Sequence, residues 1–264
     1  MRRKAYAAVC ACLLVAPALG CSHSKTGNDH TNIGAAAVTD IPTTPAPETA
    51  PAGKTAPATP AAPPPPPPAQ LVTPAKINSI LLPLDEVSSI VGATLGYEKT
   101  RTTPTAPVNI AGNNTPCTVL FGMDANAFGQ DANWQAFRND RQQESESAFD
   151  HLVYQRAGIY GDTKEPTTLF HNAFQATNAC NNAVVHNTAN EANTDWQFQG
   201  PTVTGNRAQW TNSELVNGKP NGWGCAHDVR VKNNVLFEAQ VCAFSDTTQL
   251  AATIADRMGN WIPA

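Results

Sequence analysis

The sequence has no H-E-x-x-H, no H-x-H and no C-x-x-C, so the usual ligand spacings of a zinc site are missing. It has no G-x-S-x-G, which removes the nucleophile of an α/β-hydrolase. Its one glycine-dense stretch, "NGKPNGWG" at 217–224, has the wrong order for a phosphate cradle and reads as a loop between strands. There is no internal repeat. Cations are scarce in the C-terminal part: residues 77–264 carry eleven Lys and Arg against eighteen Asp and Glu, a net of −7. That balance argues against nucleic acid as a partner and against direct docking on anionic lipid.

The N-terminus holds an address. Arg2, Arg3 and Lys4 precede an uncharged apolar run from Ala5 to Ala18, too short to span a bilayer as a mature helix. Ala18-Leu19-Gly20-Cys21 follows and resembles the lipobox of bacterial lipoproteins. The resemblance implies cleavage before Cys21, lipid on its thiol, and a location on the extracytoplasmic face of the cell membrane. Residues 1–20 are thus expected to be a lipoprotein signal. Of the seven cysteines, Cys10 and Cys12 leave with it and Cys21 carries lipid. Cys117, Cys180, Cys225 and Cys242 remain, an even set in an exported domain, which predicts two disulfides.

Residues 21–76 are rich in Ala, Pro and Thr, and thirteen of the 22 prolines lie between Pro42 and Pro74. Such a segment gains little from folding. Its proline run favours polyproline II, and some fifty residues of it reach at most roughly 150 Å. From Ile77 to Ala264 the composition suits one domain with a core.

Within 77–264, "PLDEVSSIVG" reads as a short helix opened by Asp85 and Glu86 and closed at Gly92. "CTVLF" (117–121) reads as a strand and "DANWQAFRND" (131–140) as helical. "AFDHLVYQRAGIY" (148–160) is extended, with Val153, Gln155 and Ala157 on one face. Residues 165–180 have helical spacing. Strands follow at 194–200, 206–216, 224–231 and 234–244. A final amphipathic helix at 247–262 carries Leu250, Ile254, Met258 and Trp261 on one stripe. The order predicts an α+β fold, an antiparallel sheet with helices packed mainly on one face.

Several features together resemble one family. They are the "LLPLDEVSSIVG" helix after the linker, and four cysteines separated by 62, 44 and 16 residues. To these add the hairpin "GWGCAHDVRVKNNVLFEAQVCAF" and the closing helix. This pattern is similar to the extracellular sensor domain of the mycobacterial serine/threonine kinase PknH and to stand-alone mycobacterial lipoproteins that share it. The resemblance implies pairing of Cys117 with Cys180 and of Cys225 with Cys242. It further implies a large cleft for an unidentified ligand. No kinase domain or transmembrane helix is present, so any signal would need a partner, such as a sensor kinase.

The second pairing also follows from the hairpin. A two-residue turn at Asn233-Asn234 sets Lys232 opposite Val235, and stepping outward sets Cys225 opposite Cys242 as a non-hydrogen-bonded pair about 4.5 Å apart at Cα. In that register Val229 and Val231 point away from Val235, Phe237, Ala239 and Val241. Either a bulge between Phe237 and Cys242 realigns the apolar faces, or the sheet is buried on both faces; the bulge is the expectation.

Candidate sites are few. His227 and Asp228 of "CAHD" fall on opposite strand faces and cannot form a catalytic pair alone. Asp140, Glu144, Glu146 and Asp150 read as a solvated acidic stretch. Trp196 and Trp210 lie in amide-rich strands, which either line a polar groove for a glycan or small ligand or form the wet face of a sheet. The expectation is a non-enzymatic ligand-binding or sensing domain with no metal or cofactor. Its ligand would be a small molecule or cell-wall glycan, and its only membrane contact the lipid anchor. An adaptor that binds another envelope protein is the alternative; an envelope hydrolase ranks last.

Overall fold

Val153, Gln155 and Ala157 alternate with Tyr154 and Arg156 in a strand whose two faces are both covered, and this strand lies in the middle of the molecule. A computed structural model describes residues 3–4, 70–104, 116–121, 133–187 and 194–264. Cys21, residues 21–69 and the expected signal, apart from residues 3–4, lie outside the described residues. The main sheet has eight strands: β1 (Tyr97–Arg101), β2 (Ala136–Gln143), β3 (Leu152–Ile159), β4 (Val184–Asn187), β5 (Thr194–Thr204), β6 (Arg207–Val216), β7 (Lys219–Lys232) and β8 (Val235–Ala243). All pairings are antiparallel, in the spatial order β1-β2-β3-β8-β7-β6-β5-β4. Arg3–Lys4 makes a separate two-residue ladder with Ala148–Phe149.

Helices α1 (Ile77–Ile80), α2 (Leu84–Val91) and α4 (Thr248–Asn260) cover one face, here the helical face. Gly92 ends α2 in the left-handed region at φ 73°, where a side chain would be strained. Ile80, Val87, Ile254 and Met258 pack there on Val153, Ala157, Phe237, Ala239 and Val241. Helix α3 (Lys164–Phe174) and the 3₁₀ turns Pro116–Phe121 and Thr177–Cys180 belong to the second face, where Phe170 and Phe174 join Val229, Val231 and Leu236. The architecture is therefore α+β with helices mainly on one face and two disulfides, Cys117–Cys180 and Cys225–Cys242.

The central hairpin corrects the expected bulge. β7 and β8 pair without interruption from Lys232↔Val235 to Gly224↔Ala243. All nine residues of β8 are buried, so both faces have a core and no register shift is needed to hide either set of side chains. Asn233 adopts φ 54° in the turn, and Cys225 and Cys242 face each other at a Cα distance of 3.9 Å. The irregularities fall elsewhere, between Gln199 and Thr202 and between Ser213 and Leu215.

Two elements change type. Pro116–Phe121 is a 3₁₀ turn because it has no strand beside it; the Cys180 bridge and the Trp210 side chain hold it instead. Residues 136–140 are strand, paired with β1 on one side and β3 on the other, which overrides their helical spacing. Strands β1 and β4, absent from the sequence reading, add the two edges. In α4, Ile254 and Met258 are buried, but Trp261 lies past the last turn and is 64% exposed; Ile262 is buried in its place.

The domain also begins earlier than Ile77. Val72 is buried and its backbone is clamped by the Asn234 side chain, which accepts from Val72 N–H at 2.8 Å and donates to the carbonyls of Val72 and Tyr160 at 3.0 and 2.6 Å. Asn234→Ala leaves three buried backbone groups without this partner, at about 1–3 kcal/mol for an unsatisfied group. The expected result is a stability loss of about 2–3 kcal/mol and faster hydrogen exchange at the Val72 amide. Unchanged exchange there would show that the segment is held by other contacts.

Candidate functional site

The strand register places side chains in straight rows across the second face. One row runs Lys99, Arg141, Tyr154, Gln240, His227, Trp210, each facing the next on the neighbouring strand. The adjacent row runs Arg101, Asn139, Arg156, Glu238, Val229. The apolar cover of α3 and the 3₁₀ turns sits over the Leu236–Val231 end, and Phe149, Leu152, Trp223 and the Cys225–Cys242 bridge make a smaller apolar cluster at the other, so the polar residues lie between.

A buried charge cluster forms the middle of this face. Arg156 Nη1 donates to Glu238 Oε2 at 2.7 Å and to Gln240 Oε1 at 3.0 Å, with its guanidinium 4.5 Å above the Tyr154 ring. Burial alone would raise the Glu238 carboxyl, but the Arg156 charge and the His227 hydrogen bond outweigh it and hold the group at about 2. Burial lowers His227, against the opposing pull of Glu238. The imidazole is therefore neutral at pH 7. Because ionised Glu238 can only accept, His227 Nδ1–H donates to it at 2.9 Å, and Nε2 is left with its lone pair. Nε2 has no hydrogen-bond partner.

That orphan is one of several. Among the described residues, Trp134 Nε1, Arg141 Nε, Gln143 Oε1, Tyr160 OH, Asn212 Oδ1 and His227 Nε2 are buried without a partner. Their strand parity and core contacts put all six on the second face, and none on the helical face. Buried polar groups are normally paired, and these six atoms lie inside the cover of the second face, out of reach from its surface.

Trp196 and Trp210 do share this face. Trp210, however, is 3% exposed: its ring stacks on His227 at 4.5 Å, packs on Phe174 and donates through Nε1 to Leu120 O at 2.7 Å. It is a core residue and offers no surface to an open groove. Trp196 is half-buried beside Phe121, with Nε1 on Thr194 Oγ1. His227 and Asp228 point to opposite faces, as the alternation requires; Asp228 collects Arg207, Gln209 and Arg230 on the helical face. Asp140 is not solvated, being buried against Arg138 and Thr100, while Glu144 ties down the backbone of Asp150 and His151. The hairpin register alone would have put Glu238 and Gln240 on the face of His227; Arg156 and Arg141 come from strands whose partners no local pattern reveals.

An open groove of about 440 Å³ between α4 and the β6–β7 hairpin is lined by Arg207, Arg230, Lys232 and Asp256. Its cations are already used, Arg207 and Arg230 by Asp228, Arg230 also by Asp256, and Lys232 by Gly259 O. No cluster of three or more metal-ligating side chains occurs among the described residues.

The buried pair predicts acid sensitivity. Both folded-state values lie below the ordinary ones, 6.5 for His and 4.5 for Glu, so the unfolded chain takes up these protons first. Stability from His227 is complete above pH 6.5 and declines as pH falls below it; that from Glu238 is lost between 4.5 and about 2. Urea midpoints measured at pH 7.5, 5.5 and 4 should fall stepwise, and His227→Gln should flatten the first step.

The profile of the family described as the PknH-like extracellular domain matches residues 72–260. The crystal structure of the extracellular domain of PknH from Mycobacterium tuberculosis is similar in fold, with a TM-score of 0.61 at 18% identity, over 73% of this chain and 99% of that one. No curated protein matches the chain. The family match covers most of the sequence and the whole sheet: this chain belongs to the PknH-like extracellular domain family.

Proposed function

We propose that the protein is a lipid-anchored ligand-binding domain of the cell envelope. Cys21 would carry the anchor, and the proline-rich segment would hold the domain away from the extracytoplasmic membrane surface. The ligand is an envelope-derived small molecule or glycan seated on the second face. One observation supports this above others: Lys99, Arg141 and Tyr154 form a polar row on that face that stays wholly or partly exposed beside the buried Arg156–Glu238 pair. Hydroxyl-bearing ligands carry the matching donors and acceptors. The test is native mass spectrometry of the full-length protein purified from its own host. A retained small molecule, lost on partial denaturation, is the expected result. Retention of nothing, together with stoichiometric recovery of one envelope protein, would replace ligand binding by an adaptor role. Fatty-acid labelling that persists in Cys21→Ser would remove the anchor.

A further inference from the structure

Lys99 faces Arg141 directly across β1 and β2, and Arg101 lies two residues along β1, facing Asn139. All three project from the second face. Like charges in a facing position repel and destabilise a sheet. Yet no ion pair joins any of the three to a carboxylate among the described residues. This happens in a domain region whose net charge is −7, where acidic partners are plentiful. Cations on an exposed edge strand also discourage strand pairing between molecules, which accounts for Lys99 and Arg101. It does not account for Arg141, which is on an interior strand and half-buried. The Arg141 Nε atom is inaccessible and has no hydrogen-bond partner, and its guanidinium lies 5.8 Å from the centre of the Phe149 ring. A planar donor fork held against an aromatic ring and facing a second cation suits a carboxylate or phosphate.

Tyr154, the next residue of the row after Arg141, is partly exposed, whereas Gln240 and His227 beyond it are buried. We infer that the second face binds an anionic ligand at its β1 end, with a carboxylate or phosphate on Lys99, Arg101 and Arg141 and a hydroxylated remainder on Tyr154. This rests on the ligand-binding reading above and narrows it: the ligand is charged at the β1 end.

The test uses the full-length protein, with glucuronate, glucose and inorganic phosphate as probes at matched ionic strength. Calorimetric titration should show glucuronate binding at least ten-fold more tightly than glucose, and Arg141→Gln should erase the difference. Lys99→Gln removes the facing charge on an exposed residue. Without anion it should melt slightly higher than the wild type, and it should lose the rise in melting temperature that glucuronate or phosphate produces. Glu98→Gln, on the same strand but the opposite face, should behave as wild type. A response to phosphate without one to glucuronate assigns the charge to a phosphoryl group; the reverse assigns it to a carboxylate. Equal affinity for glucose and glucuronate together with no response to phosphate, or a wild-type response in Arg141→Gln, overturns the anionic subsite while leaving ligand binding intact. So does a host-derived ligand with no acidic group. No response to any probe, with nothing retained from the host, sinks both.

Discussion

Glu238→Gln should lower the unfolding free energy at pH 7 by roughly 3–5 kcal/mol, the usual cost of breaking a buried ion pair from one side. The Glu238 side chain is fully inaccessible and the Arg156 side chain is 6% exposed, so solvent screens neither charge. Glu238 is ionised throughout the physiological range because it is held at about 2. The amide keeps the shape but removes the charge: Arg156 retains Gln240 and loses this carboxylate, and His227 loses its charged acceptor. The contrast within the same sheet is His186–Asp195, whose side chains are 47% and 42% exposed. Breaking that pair should cost about 0–1 kcal/mol. A double variant, Arg156→Met with Glu238→Leu, should recover much of the loss, since it also removes the desolvation cost of both charges. Urea unfolding of the four proteins settles the comparison. A loss under about 1 kcal/mol for Glu238→Gln would mean that water reaches the cluster.

Removing the Cys117–Cys180 bridge should be comparably severe. Its cysteines lie 63 positions apart in sequence and those of Cys225–Cys242 17 positions apart. Loop-closure entropy then assigns about 4 kcal/mol to the first and about 3 kcal/mol to the second. Both are large against a typical total of roughly 5–15 kcal/mol. The structural consequences differ more than the energies. Cys225 and Cys242 sit in a ladder that is paired on both sides of the bridge, so the hairpin register survives its loss. Cys117 belongs to a 3₁₀ turn that reaches the rest of the fold through the Cys180 bond, the Trp210–Leu120 hydrogen bond and apolar packing. Replacing Cys117 and Cys180 by Ala should therefore also loosen the aromatic stack of Phe174, Trp210 and His227, visible as reduced near-ultraviolet circular dichroism. Equal spectral effects from the two double variants would show that Pro116–Phe121 does not depend on the bridge.

Local chemistry carried a good part of this molecule into the sequence. Asp85, Glu86 and Gly92 bound a helix within a few residues of one another, and the structure keeps those bounds. The Asn233-Asn234 turn sets β7 against β8 because register in a hairpin follows from the turn alone, and the uninterrupted ladder down to Cys225 and Cys242 obeys it. The apolar mismatch in that hairpin was real; its cause, a sheet covered on both sides, was one of two readings open from the residues.

What local chemistry leaves open is which distant strands become neighbours. The 117–121 run has the composition of a strand and becomes a 3₁₀ turn for want of a partner, while 136–140 has helical spacing and becomes strand because β1 and β3 flank it. Trp210 and Trp196 look alike in sequence and both touch the Cys117 turn, yet Trp210 also packs on Phe174 of α3 and is buried, while Trp196 stays half-buried. The polar row of Lys99, Arg141, Tyr154, Gln240, His227 and Trp210 draws on six strands spread over more than a hundred residues. A turn dictates the register of the two strands it joins. The rows that cross a whole sheet exist only once every strand has found its neighbour, and the candidate site is made of those rows.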